Sequence, residues 1–334
     1  MNAALIWEWV IKSIIVLLVM TAGFAYVTWY ERKVLARMQD RIGPNRAGWA
    51  GLLQPVADGL KLIFKEELTP EKADKVLFVL APIITVIPAL IITAVVPWGP
   101  VVTIGGRQVP LSVANINLGV LYILTVTSIS VYGITLAGWS SNNKYATLGG
   151  LRSTAQMISY ELALGMSMLG PIMLASSMSL TDIVNAQQHV WYILLQPVAG
   201  VIYMIATIAE VNRAPFDMPE AEQELTAGYH VEYSGMKFAL FFMAEYIKMI
   251  AISMIGASLF FGGFWGPGVS TYPWLGPIYL FVKVAILLFG LIWIRATFPR
   301  IRYDRLMAFG WKILFPLSVL NFVVTAVVLT FVGG

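Results

Sequence analysis

Glu161, Glu210, Glu245 and Lys248 are ionisable residues that fall inside, or at the end of, long apolar stretches. A charge held in hydrocarbon costs about 2.5–3.5 kcal/mol on insertion scales, so a chain that keeps one there uses it for ion or proton movement by default. Three glutamates in three consecutive apolar stretches form a protonatable series, because a carboxylic acid in low dielectric holds its proton more readily and can trade it. The competing reading is internal glue between helices. Glu245 and Lys248 stand three apart on one helix face, so they can neutralise each other locally. Lys283 poses the same question in the middle of a later stretch.

A second concentration of charge follows directly. Residues 210–237 carry Glu210, Asp217, Glu220, Glu222, Glu224 and Glu232 against Arg213 and Lys237. An acidic run is commonly a solvated loop. This one is broken by Pro215, Pro219 and Gly228 and interleaved with Phe216, Tyr229 and Tyr233, a mixture that suits an ordered surface buried under a partner.

The elements that position these residues follow from composition. Of 334 residues, 58% are hydrophobic and only 12% are charged. A soluble domain carries about 25% charged residues, so this chain has no polar shell and the bilayer must be its solvent. About 20 apolar residues cross the hydrocarbon core. Eight stretches qualify, near 10–30, 76–98, 116–139, 154–178, 190–209, 238–262, 274–294 and 313–332. The expectation is one all-α integral membrane domain over residues 1–334, with eight transmembrane helices. Trp29, Tyr30, Trp98, Trp139, Trp191, Tyr192 and Trp274 lie where interfacial aromatic belts form. Most of the 22 lysines and arginines fall in the odd-numbered loops, which places those loops in the cytoplasm and both termini outside. The N-terminus has no basic start before a cleavable apolar run and reads as a retained first span.

Within loop 1–2, residues 51–67 read as an amphipathic interfacial helix. Leu53, Val56, Leu60 and Ile63 recur at helical steps, with Gln54, Asp58, Lys61 and Lys65 on the opposite stripe. Two readings remain for it. It lies in the interface plane with its lysines at headgroup level, or it borders an entrance for a lipid-like substrate.

The exclusions are chemical. Without cysteine the chain can form no disulfide, thiolate metal site or iron–sulfur ligation. His189 and His230 fall in loops on opposite sides and cannot clamp a transmembrane haem. Neither a P-loop nor a G-x-G-x-x-G motif occurs, so no nucleotide is bound by those loops. Nothing points to a bound metal or to nucleic acid.

Three long segments carry a resemblance to a known family. They are YERKVLARMQDRIGPNRAGWAGLLQPVADGLKLIFKEE (30–67), EVNRAPFDMPEAEQELTAGYHVEYSGMKFALFFMAEY (210–246) and RATFPRIRYDRLMAFGWK (295–312). The chain resembles the quinone-site subunit (the H subunit, or subunit 1) of proton-pumping NADH dehydrogenase, respiratory complex I. The resemblance implies a subunit with no activity in isolation. NADH, FMN and the iron–sulfur clusters would belong to partner subunits, and quinone would be the substrate.

It implies the following roles by position. Glu31, Arg32 and Arg46 lie beside the quinone chamber, and Gln54, Asp58, Lys61 and Lys65 form the lip of its entrance. Glu210, Arg213, Asp217, Glu220, Glu222 and Glu224 line an acidic funnel. Glu161, Glu210, Glu245 and Lys248 form the proton relay. The implied partners are the peripheral-arm subunits around the terminal cluster, small membrane subunits, antiporter-like subunits and membrane lipid, in a prokaryotic plasma membrane. The rival readings are the homologous subunit of a membrane-bound hydrogenase or ferredoxin-linked complex, and a stand-alone proton or cation transporter.

Overall fold

Backbone N–H and C=O groups facing lipid find no water, so an apolar chain must satisfy them within helices. In a computed structural model, described over residues 3–104, 107–218 and 228–332, that is what the apolar stretches do. The long helices are α1 (Ala3–Met38), α3 (Lys75–Ile91), α4 (Gly119–Ser140) and α5 (Lys144–Ala175), with α9 (Gly235–Phe260), α10 (Leu275–Thr297) and α12 (Phe315–Val332) later in the chain. Shorter ones are α2 (Gln54–Ile63), α6 (Leu180–Ala186), α7 (Tyr192–Leu195), α8 (Pro197–Glu210) and α11 (Tyr303–Phe309).

Helix starts follow from capping chemistry. Asp74 accepts from the N–H groups of Val76 and Leu77 at the head of α3, and Asn143 accepts from Tyr145 N at 2.9 Å at the head of α5. Each satisfies donors that a first turn leaves unpaired. Close packing follows from small residues. A Cβ on Gly133 of α4 would lie 2.1 Å from Thr85 Oγ1 of α3. One on Gly149 of α5 would lie 2.7 Å from the Cα of Gly228.

Among the described residues, seven helical segments are long and apolar enough to cross a membrane: Ile6–Met38, Lys75–Val95, Gly119–Ser140, Lys144–Ala175, Gly235–Phe260, Leu275–Thr297 and Tyr303–Phe331. The stretch expected at 190–209 is instead two helices, α7 and α8, and α8 has only 14 residues. The break is at Gln196, whose φ of −130° and ψ of 55° leave the helical region just before Pro197. Its side chain stitches the break to α12: Gln196 Nε2 donates to Thr325 Oγ1 at 2.8 Å, and Asn321 Nδ2 donates to Gln196 Oε1 at 3.1 Å.

Several boundaries also move. The last span begins at Tyr303, through a π-turn at Gly310–Leu314, where the buried Tyr160 ring presses against Gly310 and its hydroxyl donates to Leu306 O at 2.9 Å. The amphipathic helix is confined to Gln54–Ile63, so Lys65 lies beyond it. At its head Gly51 takes φ +79°, and a Cβ there would meet Pro44 O at 2.2 Å. The all-α expectation missed a hairpin: β1 (Gly99–Ile104) pairs antiparallel with β2 (Arg107–Leu111), Val102 opposite Val109. Its signal was present in the sequence, with Gly105-Gly106 directly after the β-branched run Val-Val-Thr-Ile at 101–104.

The core centres on α9, buried continuously from Tyr246 to Phe260 and packed against α1, α3 and α10. The outer face of α1 is the opposite, with Trp7, Ile11, Ile15 and Leu18 exposed.

Candidate functional site

Among the described residues, the charges inside the bundle form one set with a definite order. Glu31, in the C-terminal part of α1, is only 3% exposed. Its Oε1 accepts from Arg295 Nη1, from the last turn of α10, and lies 3.5 Å from Arg213 Nη1. Arg213, 5% exposed, stands just after α8 and turns its Nε to Glu245 Oε1 on α9. Its guanidinium also lies over the Tyr246 ring, 4.4 Å from the centroid. One turn further along α9, Lys248 Nζ meets Glu210 Oε1 at 3.1 Å. Among the described residues, three carboxylates thus face three cations. A buried pair deprived of one partner loses about 3–5 kcal/mol, so this set is costly to interrupt.

This corrects the local pairing expected from spacing. Glu245 and Lys248 do share a face, but each reaches across to residues from the end of α8. That leaves Glu245 and Glu31 on one guanidinium. The outer oxygens, Glu31 Oε2 and Glu210 Oε2, are buried and accept no hydrogen bond among the described residues. Two hollows adjoin the set. One of about 590 Å³ is lined by Glu210, Glu245, Lys248, Thr85, Asn212 and His230, among others. The other, about 300 Å³, is lined by Glu31, Arg213 and Arg295 with apolar neighbours.

Glu161 is held differently. On α5 it accepts from Ser128 Oγ and, at 3.3 Å, from Thr127 Oγ1, both on α4. These partners are hydroxyls and neutral. Lys283 resolves toward the structural reading. Its Nζ donates to Phe261 O, Gly263 O and Trp265 O at 2.7, 2.8 and 2.7 Å. It closes the carboxyl end of α9, where the helix dipole favours a cation.

The first-loop residues separate into two groups. Arg32 Nη1 donates to Asp58 Oδ2 at 2.7 Å, Gln54 Nε2 donates to Asp58 Oδ1 at 3.2 Å, and Lys61 lies 3.8 Å from Asp58. This cluster clips α2 to α1. Arg46 and Lys65 are exposed and belong to no such cluster. Asp217 is half-buried at the described edge of the acidic loop, and Glu220, Glu222 and Glu224 lie outside the described residues.

Two residues of this region escape sequence reasoning. Arg295 reads there only as one of the basic residues that orient the chain. Gln156, fully buried on α5, donates through Nε2 to Ala209 O at 2.8 Å and Phe216 O at 2.7 Å, fixing the turn that carries Arg213. Its only signal was an amide side chain within a membrane-length helix, among the serines and threonines around it.

Helices of membrane-spanning length that enclose carboxylates paired with cations define a polytopic helical membrane protein with a charged interior. The family model for NADH dehydrogenase matches residues 11–326, and the chain belongs to that family. Relatives include the second H subunit of NADH-quinone oxidoreductase in Geobacter metallireducens, 50% identical with 96% of this chain and 95% of the relative covered. The H subunit of the same enzyme in Protochlamydia amoebophila is 52% identical, with 90% and 91% covered. That of Thermomicrobium roseum is 49% identical, with 96% and 97% covered.

Proposed function

We propose that this chain is the membrane subunit of an NADH:quinone oxidoreductase that forms part of the quinone chamber and couples quinone reduction to proton translocation. The observation that carries the reading is Arg213, a single buried guanidinium shared by Glu31 and Glu245. Electrons arrive from NADH through FMN and iron–sulfur clusters held by partner subunits; without cysteine, this chain offers no thiolate to such clusters. Reduction of quinone places negative charge beside Glu31 and Arg213. A guanidinium drawn toward that charge leaves Glu245 less compensated, and a carboxylate losing its cation in low dielectric takes up a proton. Lys248 and Glu210 extend the same exchange by one helical turn, and Glu161, hydrogen-bonded only to hydroxyls among the described residues, carries it toward the α4–α5 face.

On this reading Glu31, Arg32 and Arg46 flank the chamber, and α2, with Gln54, Asp58 and Lys61 on one face and exposed Leu53, Val56, Leu60 and Ile63 on the other, borders its entrance together with Lys65. Asp217, Glu220, Glu222 and Glu224 continue the acidic funnel, covered by peripheral subunits. Broken helices are tolerated at membrane depth where protein surrounds them, so α7 and α8 together make the eighth span. The odd loops then face the cytoplasm of a prokaryotic cell, and small membrane subunits and antiporter-like subunits adjoin the bundle.

The test uses assembled complexes carrying Glu161→Gln, Glu210→Gln or Glu245→Gln. Glutamine keeps the size and hydrogen bonding of glutamate but cannot ionise. Quinone reduction and proton uptake should fall together, by an order of magnitude or more, while NADH oxidation by a water-soluble artificial acceptor persists. Full quinone activity in all three variants overturns the relay.

A further inference from the structure

Three consecutive residues of α1 point three ways, because successive helix positions turn by about 100°. Glu31 enters the buried charge set and Arg32 reaches Asp58 of α2. Lys33 takes a third side, with its ammonium 5.8 Å from the centroid of the Trp29 ring. On that side α1 and α10 enclose a trough of about 1090 Å³, with Ile250 and Met254 of α9 in its lining. The lining is apolar almost throughout and runs from Val19 up to Trp29 and Tyr30. The same Trp29 and Tyr30 also line a second hollow, of about 1380 Å³, which carries Lys33, Arg37 and Arg41. An apolar trough therefore meets a basic patch across an aromatic boundary.

Depth along α1 places that boundary at the membrane surface. Trp9 and Trp29 stand 20 residues apart, or about 30 Å of helix, the thickness of the hydrocarbon core. Lys33 and Arg37 then stand about one and two turns beyond the boundary, at headgroup level. None of the three cations forms an ion pair with a described residue; Arg41 donates to Gln39 Oε1 at 2.7 Å, and Asp40, the nearest acid in sequence, pairs with none of them. They are cations held at the surface above a groove for a chain.

We propose that the trough and patch bind one anionic phospholipid, with its phosphate on Lys33, Arg37 and Arg41 and an acyl chain lying along α1 and α10. The cations choose the occupant. A zwitterionic lipid brings the same tail but a headgroup cation that this patch repels. A quinone tail fits the trough and leaves the patch unmatched. Neither hollow is lined by Arg32, Asp58 or a residue of α2, so the site is distinct from the entrance proposed above, although Trp29 at its boundary also donates to Ala50 O ahead of α2.

The experiment uses the assembled complex in phosphatidylcholine vesicles doped with phosphatidylglycerol or phosphatidylcholine bearing a photoreactive acyl chain, followed by peptide mapping. Phosphatidylglycerol should label residues 19–30 and 277–289 several-fold more than phosphatidylcholine. The triple variant Lys33→Gln, Arg37→Gln and Arg41→Gln should remove that preference, and Ala285→Phe, which fills the trough, should reduce labelling by both lipids. Equal labelling by both lipids in the unmodified complex overturns the site, and that comparison does not depend on any variant folding. Displacement of the label by excess long-tailed quinone would give the trough to substrate, and no label from either lipid would give it to a partner helix; both results also overturn the proposal.

Discussion

At the scale of single residues, Arg213 is the point on which the buried set turns. It serves Glu31 and Glu245 at once and stacks on Tyr246. Arg213→Gln leaves Glu245 buried without its cation, a loss of about 3–5 kcal/mol that should lower the yield and melting temperature of the assembled complex. Adding Glu245→Gln removes the orphaned charge, whereas Glu31 keeps Arg295. The double variant should therefore recover most of the lost stability while quinone activity stays low. A double variant no more stable than Arg213→Gln would show that the pair is not coupled as drawn. Arg213→Lys should rescue poorly, since a point charge cannot span two carboxylates and stack on a ring as a planar fork does.

The sequence made Glu210, Glu245 and Lys248 visible because charge in an apolar run is rare, while Glu31 and Arg213 stood out only through the family resemblance. It could not show the pairing. Spacing reports only neighbours on one helix, and Glu245 and Lys248 are three apart, whereas the contacts that formed join residues 32 and 38 positions away. Arg295 was hidden by its company, one of several arginines whose common effect is orientation.

At the scale of elements, α2 shows how little holds an interfacial helix to a bundle. No residue of α2 is buried, and its polar stripe is fastened to α1 through Asp58 alone among its acids. With Arg32 half exposed at 50% and Asp58 at 28%, that ion pair is worth about 0.2–1 kcal/mol. Asp58→Asn should leave assembly and melting temperature unchanged. It should speed amide exchange of residues 54–64 by about 1.5- to 5-fold, the same energy read as an opening equilibrium. Unchanged exchange would mean that the helix is held by the Trp29 Nε1 to Ala50 O bond at 3.2 Å and by apolar contact instead. The helix itself was legible from its period. Its ends were not, because Gly51 and Pro44 close a tight loop that periodicity does not register. The same limit explains Pro197, which divides an apolar run that composition reads as one span, and the hairpin at Gly99–Leu111, whose strands are far shorter than a membrane span.

At the scale of the whole molecule, orientation decides what the buried set can connect. Glu31 and Arg295 sit at helix ends next to basic loops, while Glu245 lies ten residues into α9, about 15 Å along its axis. The set therefore descends from the loop side to roughly mid-depth, and the described lysines beyond it on the long helices are committed elsewhere, Lys12 to Glu8 and Pro110 O and Lys283 to three carbonyls. If the loops around Glu71 and Tyr145 face the cytoplasm, charge enters from the side where peripheral subunits bind; if they face outward, the coupling runs backwards. A chain without native cysteine makes this directly measurable. Single cysteines at Glu71 and Tyr145, both exposed, should react with an impermeant maleimide only in inside-out vesicles stripped of peripheral proteins. Cysteines at Thr103 of the hairpin and Gln188 after α6 should react only in right-side-out vesicles; Gln188 is exposed, whereas its neighbour Gln187 is buried and bonded to Ser258 O. The comparison between Tyr145 and Gln188 is the sharpest, because α5 alone crosses between them. Labelling of that pair from one side would mean that α5 does not span and would dismantle the eight-span arrangement. Labelling from opposite sides but in the reverse sense would keep the fold and invert the direction of proton flow.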